Sequence, residues 1–287
     1  MLDDTQPSRF GDLVRISGFS HGTDVWINNA QEFIKSGETT IKDAISTRDD
    51  IMNYLILKGL PNKTAFKIME NVRKGKVAGG KCKEWPEWKE EMKKNNVPDW
   101  YIESCNRIKY MFPRAHAVAY VMMSYRIAWF KVYYPVQFYA AYFSTKVDDF
   151  NSEVIMNGKD AVLKRYDEIH GKGSNATKKE EDEAVVLEVA YEMLCRGYEF
   201  EGIILGISDG VKFYEHEGRV LLPYLAISGV GETAARAIDE EYEKKPFVTV
   251  EELRERTRIS KTNVESLREF GVLKGLPETD QLCLFPT

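Results

Sequence analysis

Apolar and polar residues recur along most of the chain with the spacing of an amphipathic helix. In residues 65–74, Ala65, Ile68, Met69 and Val72 fall on one helical face. Helical patterns also extend over residues 8–17, 40–58, 85–95, 99–110, 136–145, 178–196, 233–242, 250–257 and 261–270. The pattern therefore predicts a mainly α protein.

Residues 114–132 form the most apolar segment of the chain. Alanine, valine, methionine and aromatic residues occupy nearly every face of this segment, and Pro135 follows it. A helix that is apolar all round is typical of a protein interior. We therefore expect a buried helix that ends before Pro135.

The pattern changes after Phe200. Residues 202–207, 211–214 and 219–222 are short and β-prone, and residues 216–218 have the composition of a turn. The sequence thus predicts a small β-containing insertion between helical regions.

Charge is unevenly distributed along the 287 residues. Net charge is −5, but residues 63–131 contain 15 Lys and Arg against 7 Asp and Glu, whereas residues 147–202 contain 7 against 14. A basic block in an acidic chain fits a phosphate-bearing partner, and it equally fits a solvated helical surface. No signal peptide or membrane span is visible, and the four cysteines are widely spaced, so we expect a cytoplasmic protein with reduced thiols.

A glycine-containing motif lies at residues 227–238, with the form of a helix-hairpin-helix element. Gly229 and Gly231 permit a tight turn, and free backbone N–H groups at the next helix start can bind a phosphate without reading its base. Ala235 and Ile238 are expected to pack inward. A plain turn between packed helices is the alternative. The residues predicted to contact the DNA backbone are Gly229, Gly231, Thr233 and Lys261.

Basic residues are grouped before and at the start of the apolar helix predicted at 114–132. Arg107, Lys109, Arg114 and His116 suit a triphosphate, because such a ligand favours fixed donors and the positive end of a helix dipole. Tyr110 and Phe112 can stack on a base. From the residues alone, core packing and a partly buried histidine remain open for this group.

The wider sequence around these residues resembles the fingers of C-family bacterial replicative polymerases. The resemblance rests on residues 112–120 (FPRAHAVAY), 124–135, 138–141 and 227–238, and residues 15–31 are similar to the PolC branch of the polymerase III alpha subunit. It implies that Ser20 and His21 join the nucleotide site. Arg114 stands where lysine is expected, and it keeps the charge with a planar fork of donors.

The resemblance implies a DNA-directed DNA polymerase in four regions: fingers at 1–146, an acidic helical connector at 147–202, a small β element with a helix-hairpin-helix duplex-binding region at 203–276, and a flexible tail at 277–287. The family's palm aspartates have no counterpart here. We therefore expect no catalytic residue and no metal in this chain, with Mg²⁺ in the absent palm, and no activity of the chain alone. The implied partners are template-primer DNA, incoming dNTP and the remaining polymerase domains, with no membrane.

The last residues resemble the sliding-clamp-binding pentapeptide, Gln-Leu-x-Leu-Phe. The residues that match it are Gln281, Leu282, Leu284 and Phe285. Two other functions stay open. The chain can be a non-enzymatic helix-hairpin-helix DNA-binding module, or an interaction protein whose one function is clamp binding.

Overall fold

The computed structural model describes residues 1–280, and their packing separates two units. Unit 1 is Met1–Arg126, and unit 2 begins at Ile127. The division falls before the end of the fingers region predicted at 1–146, because residues 136–146 pack into the core of unit 2. The predicted fold class, mainly α with a small β-containing insertion, is confirmed.

Unit 1 is helical. Its helices are α1 (Leu2–Thr5), α2 (Phe10–His21), α3 (Gln31–Lys35), α4 (Arg48–Leu57), α5 (Asn62–Arg73), α6 (Trp85–Lys94) and α7 (Asp99–Arg107). The α5 prediction is confirmed, since Ala65, Ile68, Met69 and Val72 are its buried residues. They join a core with Phe19, Leu55, Met92 and Tyr101.

Three predicted helix boundaries in unit 1 are wrong, and one of them is the end of α2, which lies at His21 instead of residue 17. Helix α4 begins at Arg48 instead of residue 40, because the Asp50 carboxylate accepts the backbone N–H of Thr47 at 2.8 Å and fixes the start there. Helix α7 ends at Arg107 instead of residue 110. The carbonyl of Tyr110 accepts the N–H of Thr23 at 2.8 Å, so residues 108–110 run alongside another segment.

Helix α8 (Arg114–Tyr133) has the predicted position, and Pro135 follows it, but its predicted burial is wrong. Ala117 is its one buried residue. Large apolar side chains stay exposed, and they are Tyr120, Met122, Met123, Tyr125, Ile127, Trp129, Phe130, Val132 and Tyr133. The physical reason is that residues 1–280 supply too little surface to enclose an apolar helix on all sides. Within the described residues no helix qualifies by length and hydropathy as a membrane span.

Unit 2 contains the remaining principal elements. They are α9 (Pro135–Ser144), α10 (Ser152–Ile155), α11 (Lys159–Gly171), α12 (Lys178–Cys195), β1 (Phe200–Glu201), β2 (Tyr214–His216), β3 (Arg219–Leu221), α13 (Glu232–Lys244), α14 (Val250–Thr257) and α15 (Lys261–Glu269). Thr177 caps α12 through the N–H of Glu180. Arg165 joins α11 to α12 through both oxygens of Glu183, at 3.0 and 2.9 Å.

The small sheet has the order β1-β3-β2, with β1 parallel and β2 antiparallel to β3. The strand predicted at 202–207 is wrong. The N–H groups of Ile207 and Ser208 donate to the carbonyl of Ile204, which closes a turn. Gly206 has φ +81° and lies against the ring of Tyr242, where an added Cβ would be 2.0 Å from a ring carbon, so only glycine fits this turn.

The beginning of the predicted tail is attached to unit 2. The carbonyls of Pro277 and Glu278 accept the N–H groups of Val250 and Glu251, at 2.9 and 3.0 Å, and the Glu278 carboxylate bonds Arg268 at 2.8 Å. The predicted clamp-binding residues, Gln281 to Phe285, lie outside the described residues.

Candidate nucleic-acid interface

The turn before α13 has the geometry that its glycines suggest. Gly229 has φ +85°, in the left-handed region, and Gly231 is the N-cap of α13. Ala235 and Ile238 are fully buried, so their predicted inward packing is confirmed. The apolar face of α13 thus fixes the helix, and its first turn is left at the surface.

The start of α13 carries backbone donors that the chain does not use. No side chain caps this helix, and within residues 1–280 the N–H groups of Glu232, Thr233 and Ala234 have no acceptor. Four such groups normally need a partner at a helix start, and their dipoles favour an anion. The neighbouring Glu232 carboxylate is held by Arg236 at 2.7 Å. The turn therefore has the donors that a phosphate requires.

Helix α15 begins beside this turn. The Nδ2 of Asn263, in the first turn of α15, donates to the Gly229 carbonyl at 2.8 Å. Ser260 caps α15 by accepting the N–H of Asn263 at 3.1 Å. Two helix starts therefore lie side by side, and Lys261 is exposed at the second.

A groove of about 840 Å³ runs between α14, α15 and residues 278–279. Arg254, Arg258 and Lys261 line it, and none has a carboxylate within 4.0 Å among the described residues. Arg268 lines it too, but this side chain bonds Glu265 and Glu278. The groove is also lined by acidic side chains, which are Glu251, Glu255, Glu265 and Glu278. It thus offers three cations that have no carboxylate partner among residues 1–280, beside four acidic groups.

In unit 1, the predicted nucleotide-binding residue Arg114 is paired within the chain. Its guanidinium bonds the Asp50 carboxylate, and its backbone N–H donates to Asp49 at 2.6 Å. Asp50 also accepts from Ser46, and Arg15 lies 3.7 Å away. Burial alone would raise the pKa of Asp50, but Arg15, Ser46 and Arg114 outweigh it, and the pKa lies below its ordinary value of 3.8.

Arg107 and Lys109 also have carboxylate partners. Arg107 bonds Glu103 at 3.0 Å and also Glu32, and Lys109 bonds Asp24 at 2.8 Å. The hydrogen bond to Glu103 raises the pKa of Arg107, which keeps its charge. The structure therefore holds the predicted cations on separate acidic partners.

The aromatic residues of the predicted nucleotide site do come together. The ring of His116 stacks on Phe112 with centroids 5.0 Å apart, and Tyr120 lies 4.6 Å from His116. The His21 ring is 6.2 Å from Phe112. Ser20, next to it, donates to the Ser17 carbonyl at 3.1 Å. These rings form a surface cluster in unit 1 that is suited to stacking.

Sequence reasoning missed the role of Asp50. Residues 46–50, Ser-Thr-Arg-Asp-Asp, match the pattern of a helix cap, in which a hydroxyl residue is followed three positions later by an acidic one. That pattern locates the start of α4. It gives no indication that Arg114, 64 positions along the chain, shares the same carboxylate.

Comparisons with known proteins agree with two parts of this arrangement. Residues 1–96 match the family model described as the bacterial DNA polymerase III alpha subunit finger domain, and residues 203–281 match that of a helix-hairpin-helix motif. The second match includes the turn, α13, α14 and α15.

Curated relatives extend the similarity to nearly the whole chain. The chain is 53% identical to DNA polymerase III PolC-type of Caldanaerobacter subterraneus subsp. tengcongensis and 48% identical to that of Thermotoga petrophila, each over 285 residues, which are 99% of this chain and 20% of the relative. Identity to the Bacillus subtilis protein of the same name is 47%, over 19% of its length. The chain is therefore similar, along almost all of its length, to about one fifth of a PolC-type DNA polymerase III, with a finger domain and a helix-hairpin-helix motif.

Proposed function

We propose that this chain is the part of a replicative DNA polymerase that grips duplex DNA and the incoming nucleotide. The observation that carries the proposal is the α13 start, where three unused backbone donors lie in a region similar to PolC-type polymerases. Backbone donors and arginines bind the phosphates of DNA whatever its base sequence, and a replicative enzyme needs such sequence-independent binding. Measuring duplex affinity for the intact chain, with and without the changes below, tests the proposal.

The duplex would lie against both helix starts in unit 2. One phosphate would accept the free N–H groups at Thr233 and its neighbours, and the next would meet Lys261 and the start of α15. Arg254 and Arg258 line the groove next to Lys261 and offer two further cations to the backbone, among the glutamates that line it too. Each of these contacts positions the backbone and leaves the bases unread.

The nucleotide would bind at the ring cluster in unit 1. Phe112, His116 and Tyr120 offer faces to a base, and Arg114 offers a fork of donors to the triphosphate. To bind phosphate, the Arg114 guanidinium must share or leave the Asp50 carboxylate. Arg107, Lys109, Ser20 and His21 are proposed to be secondary members of this site.

Replacing Gly229 with alanine should lower duplex affinity by about tenfold, which corresponds to the loss of roughly one charge-assisted hydrogen bond. An L-residue is strained at φ +85°, so the turn should shift the α13 donors. Gly271→Ala is the matched control, because Gly271 has φ +84° and open space around it. Fluorescence anisotropy with a labelled duplex measures the change. Equal losses of affinity in both variants would show that the Gly229 turn has no special role.

Replacing Lys261 with alanine should weaken duplex binding and flatten its salt dependence. Loss of one phosphate contact should reduce the slope of log K against log salt by about 0.9. Arg268→Ala is the control, since Arg268 already bonds Glu265 and Glu278. Titrations at several salt concentrations give the slope, and an unchanged slope for Lys261→Ala would place Lys261 outside the interface.

Replacing Arg114 with alanine should impair nucleotide use by a PolC-type polymerase that carries this region. Loss of a charge-assisted bond should lower kcat/KM for dNTP by about 1.5–3 kcal/mol, while duplex affinity stays the same. Arg114→Lys keeps the charge and should restore most of the activity. Steady-state primer extension measures both. Unchanged kinetics for Arg114→Ala and His116→Ala would assign both residues to packing.

A further inference from the structure

The end of α8 and the residue after it carry a continuous apolar surface. Between residues 127 and 134, six large side chains are 46–64% exposed, and they are Ile127, Trp129, Phe130, Val132, Tyr133 and Tyr134. We call these six residues the 127–134 face. Single exposed apolar residues are ordinary, but a contiguous patch of this kind marks an interaction site.

Lys131 joins this segment to other parts of unit 2. The Lys131 ammonium bonds Glu192 at 2.9 Å and lies over the rings of Phe138 and Tyr139. At 100° per residue the six apolar side chains are distributed over the rest of the helix circumference. Their rings already pack on one another, with Trp129 and Tyr133 centroids 4.8 Å apart. The segment is thus anchored on one side and presents a preformed aromatic surface on the others.

We propose that the 127–134 face packs against the parts of a PolC-type polymerase that lie outside the one fifth to which this chain is similar. This proposal rests on the proposed function, because it takes the chain to work within a PolC-type polymerase. Relatives 47–53% identical over 285 residues contain this region inside chains about five times as long. Tryptophan and tyrosine are also the residues that most often anchor protein interfaces.

Charge argues against the other occupants. No Asp or Glu occurs in residues 114–147, while Arg114, Arg126, Lys131 and Lys146 do. Arg114, Lys131 and Lys146 already have carboxylate partners, so a second copy of this segment, which contains no acidic residue, would leave Arg126 without one. Single-stranded DNA would use the aromatic rings, but Lys131 is already bound by Glu192, and Ile127 and Val132 offer nothing to a base. The occupant that fits is an apolar protein groove with acidic groups near Arg126, which has no ion pair among residues 1–280.

Photo-crosslinking tests this in a polymerase chimera. The matched 285 residues of the Caldanaerobacter relative are replaced by this chain, with benzoylphenylalanine at position 133 or, as a control, at the 85% exposed Leu57. We expect position 133, and not position 57, to crosslink to peptides outside this chain's region. Crosslinks from position 133 to primer-template, to a second copy or within this region would overturn the proposal. So would a crosslinking yield at position 133 that is no higher than the yield at position 57. Primer extension by the chimera reports separately on the proposed function.

A second measurement uses the chain alone. Phe130→Ser with Tyr133→Ser should shift its melting temperature by less than about 2 °C, because neither side chain belongs to a core of the chain. The same pair of changes should abolish capture of the polymerase remainder added in trans, and Leu57→Ser should not. A larger fall in melting temperature would place the two rings in the chain's own core, and unchanged capture would show that the 127–134 face has another role.

Discussion

Replacing Asp50 with alanine should destabilise unit 1 by about 2–4 kcal/mol, because a buried carboxylate that accepts several hydrogen bonds is lost. Its carboxylate accepts the N–H groups of Ser46 and Thr47, at 3.0 and 2.8 Å, and pairs with Arg15 and Arg114. Alanine would leave two buried N–H groups without an acceptor and both arginines without their common partner. Chemical denaturation of the intact chain, followed by circular dichroism, measures the loss.

Asp12→Ala is the matched control for this prediction. Asp12 accepts the N–H groups of Ser8 and Arg9, at 3.0 and 3.1 Å, but no cation lies within 4.0 Å of its carboxylate in the described part of the chain. Its loss should therefore cost less than that of Asp50. Asp50→Asn keeps an acceptor without the charge and should fall between wild type and alanine. Equal effects of Asp12→Ala and Asp50→Ala would show that the arginines contribute nothing.

The same carboxylate predicts a direction for acid sensitivity. Because folding lowers the pKa of Asp50 below 3.8, its ionised form stabilises the fold above that pH. The contribution should disappear as pH falls through the lowered value. Wild type should therefore lose stability below about pH 4 more steeply than Asp50→Asn does. Parallel curves for the two proteins between pH 5 and 2.5 would contradict this prediction.

Replacing Leu284 and Phe285 with alanine should abolish binding to the sliding clamp, a loss of at least about 3 kcal/mol. In the proposed peptide, these two side chains fill an apolar cleft while Gln281 bonds its rim. An extended peptide loses entropy when it binds, so the wild-type Kd should be about micromolar. Titration of a labelled peptide of residues 278–287 with the clamp measures both.

Two controls accompany the clamp experiment. Cys283 occupies the variable position of the motif, so Cys283→Ser should change little. Duplex affinity of the intact chain should be the same with and without the double substitution, because the DNA contacts are proposed for α13–α15. Wild-type peptide that shows no saturable binding at high micromolar clamp would exclude the clamp as its partner.

The sequence predicted those elements of the fold whose signals are local. Helices α5 and α12 follow from the spacing of their apolar residues, and the residues of both helices pack as that spacing requires. The strand expected at 202–207 failed because Ile204 and Gly206 form a turn against Tyr242, a residue more than 30 positions away. The β-propensity of a short segment does not indicate which distant residue will pack against it.

The candidate sites show the same limit. The Gly229 turn could be identified from sequence because its requirement, a left-handed backbone before a helix, is carried by a few adjacent residues. The pairing of Arg107 with Glu32, of Lys109 with Asp24 and of Arg114 with Asp50 could not, since each joins distant positions. The exposure of α8 also escaped prediction, because apolar composition does not indicate which protein surface covers a helix.

The bonds from Pro277 and Glu278 to α14 and α15 make the junction of the proposed clamp peptide a fixed point. Gln281 follows Glu278 by three peptide steps, which span at most about 11 Å when fully extended. The proposed clamp peptide would then be joined by a short linker to the helices that are proposed to contact the duplex. If both proposals hold, the clamp would bind within about 11 Å of Glu278, close to the helices α14 and α15 that are proposed to contact the duplex.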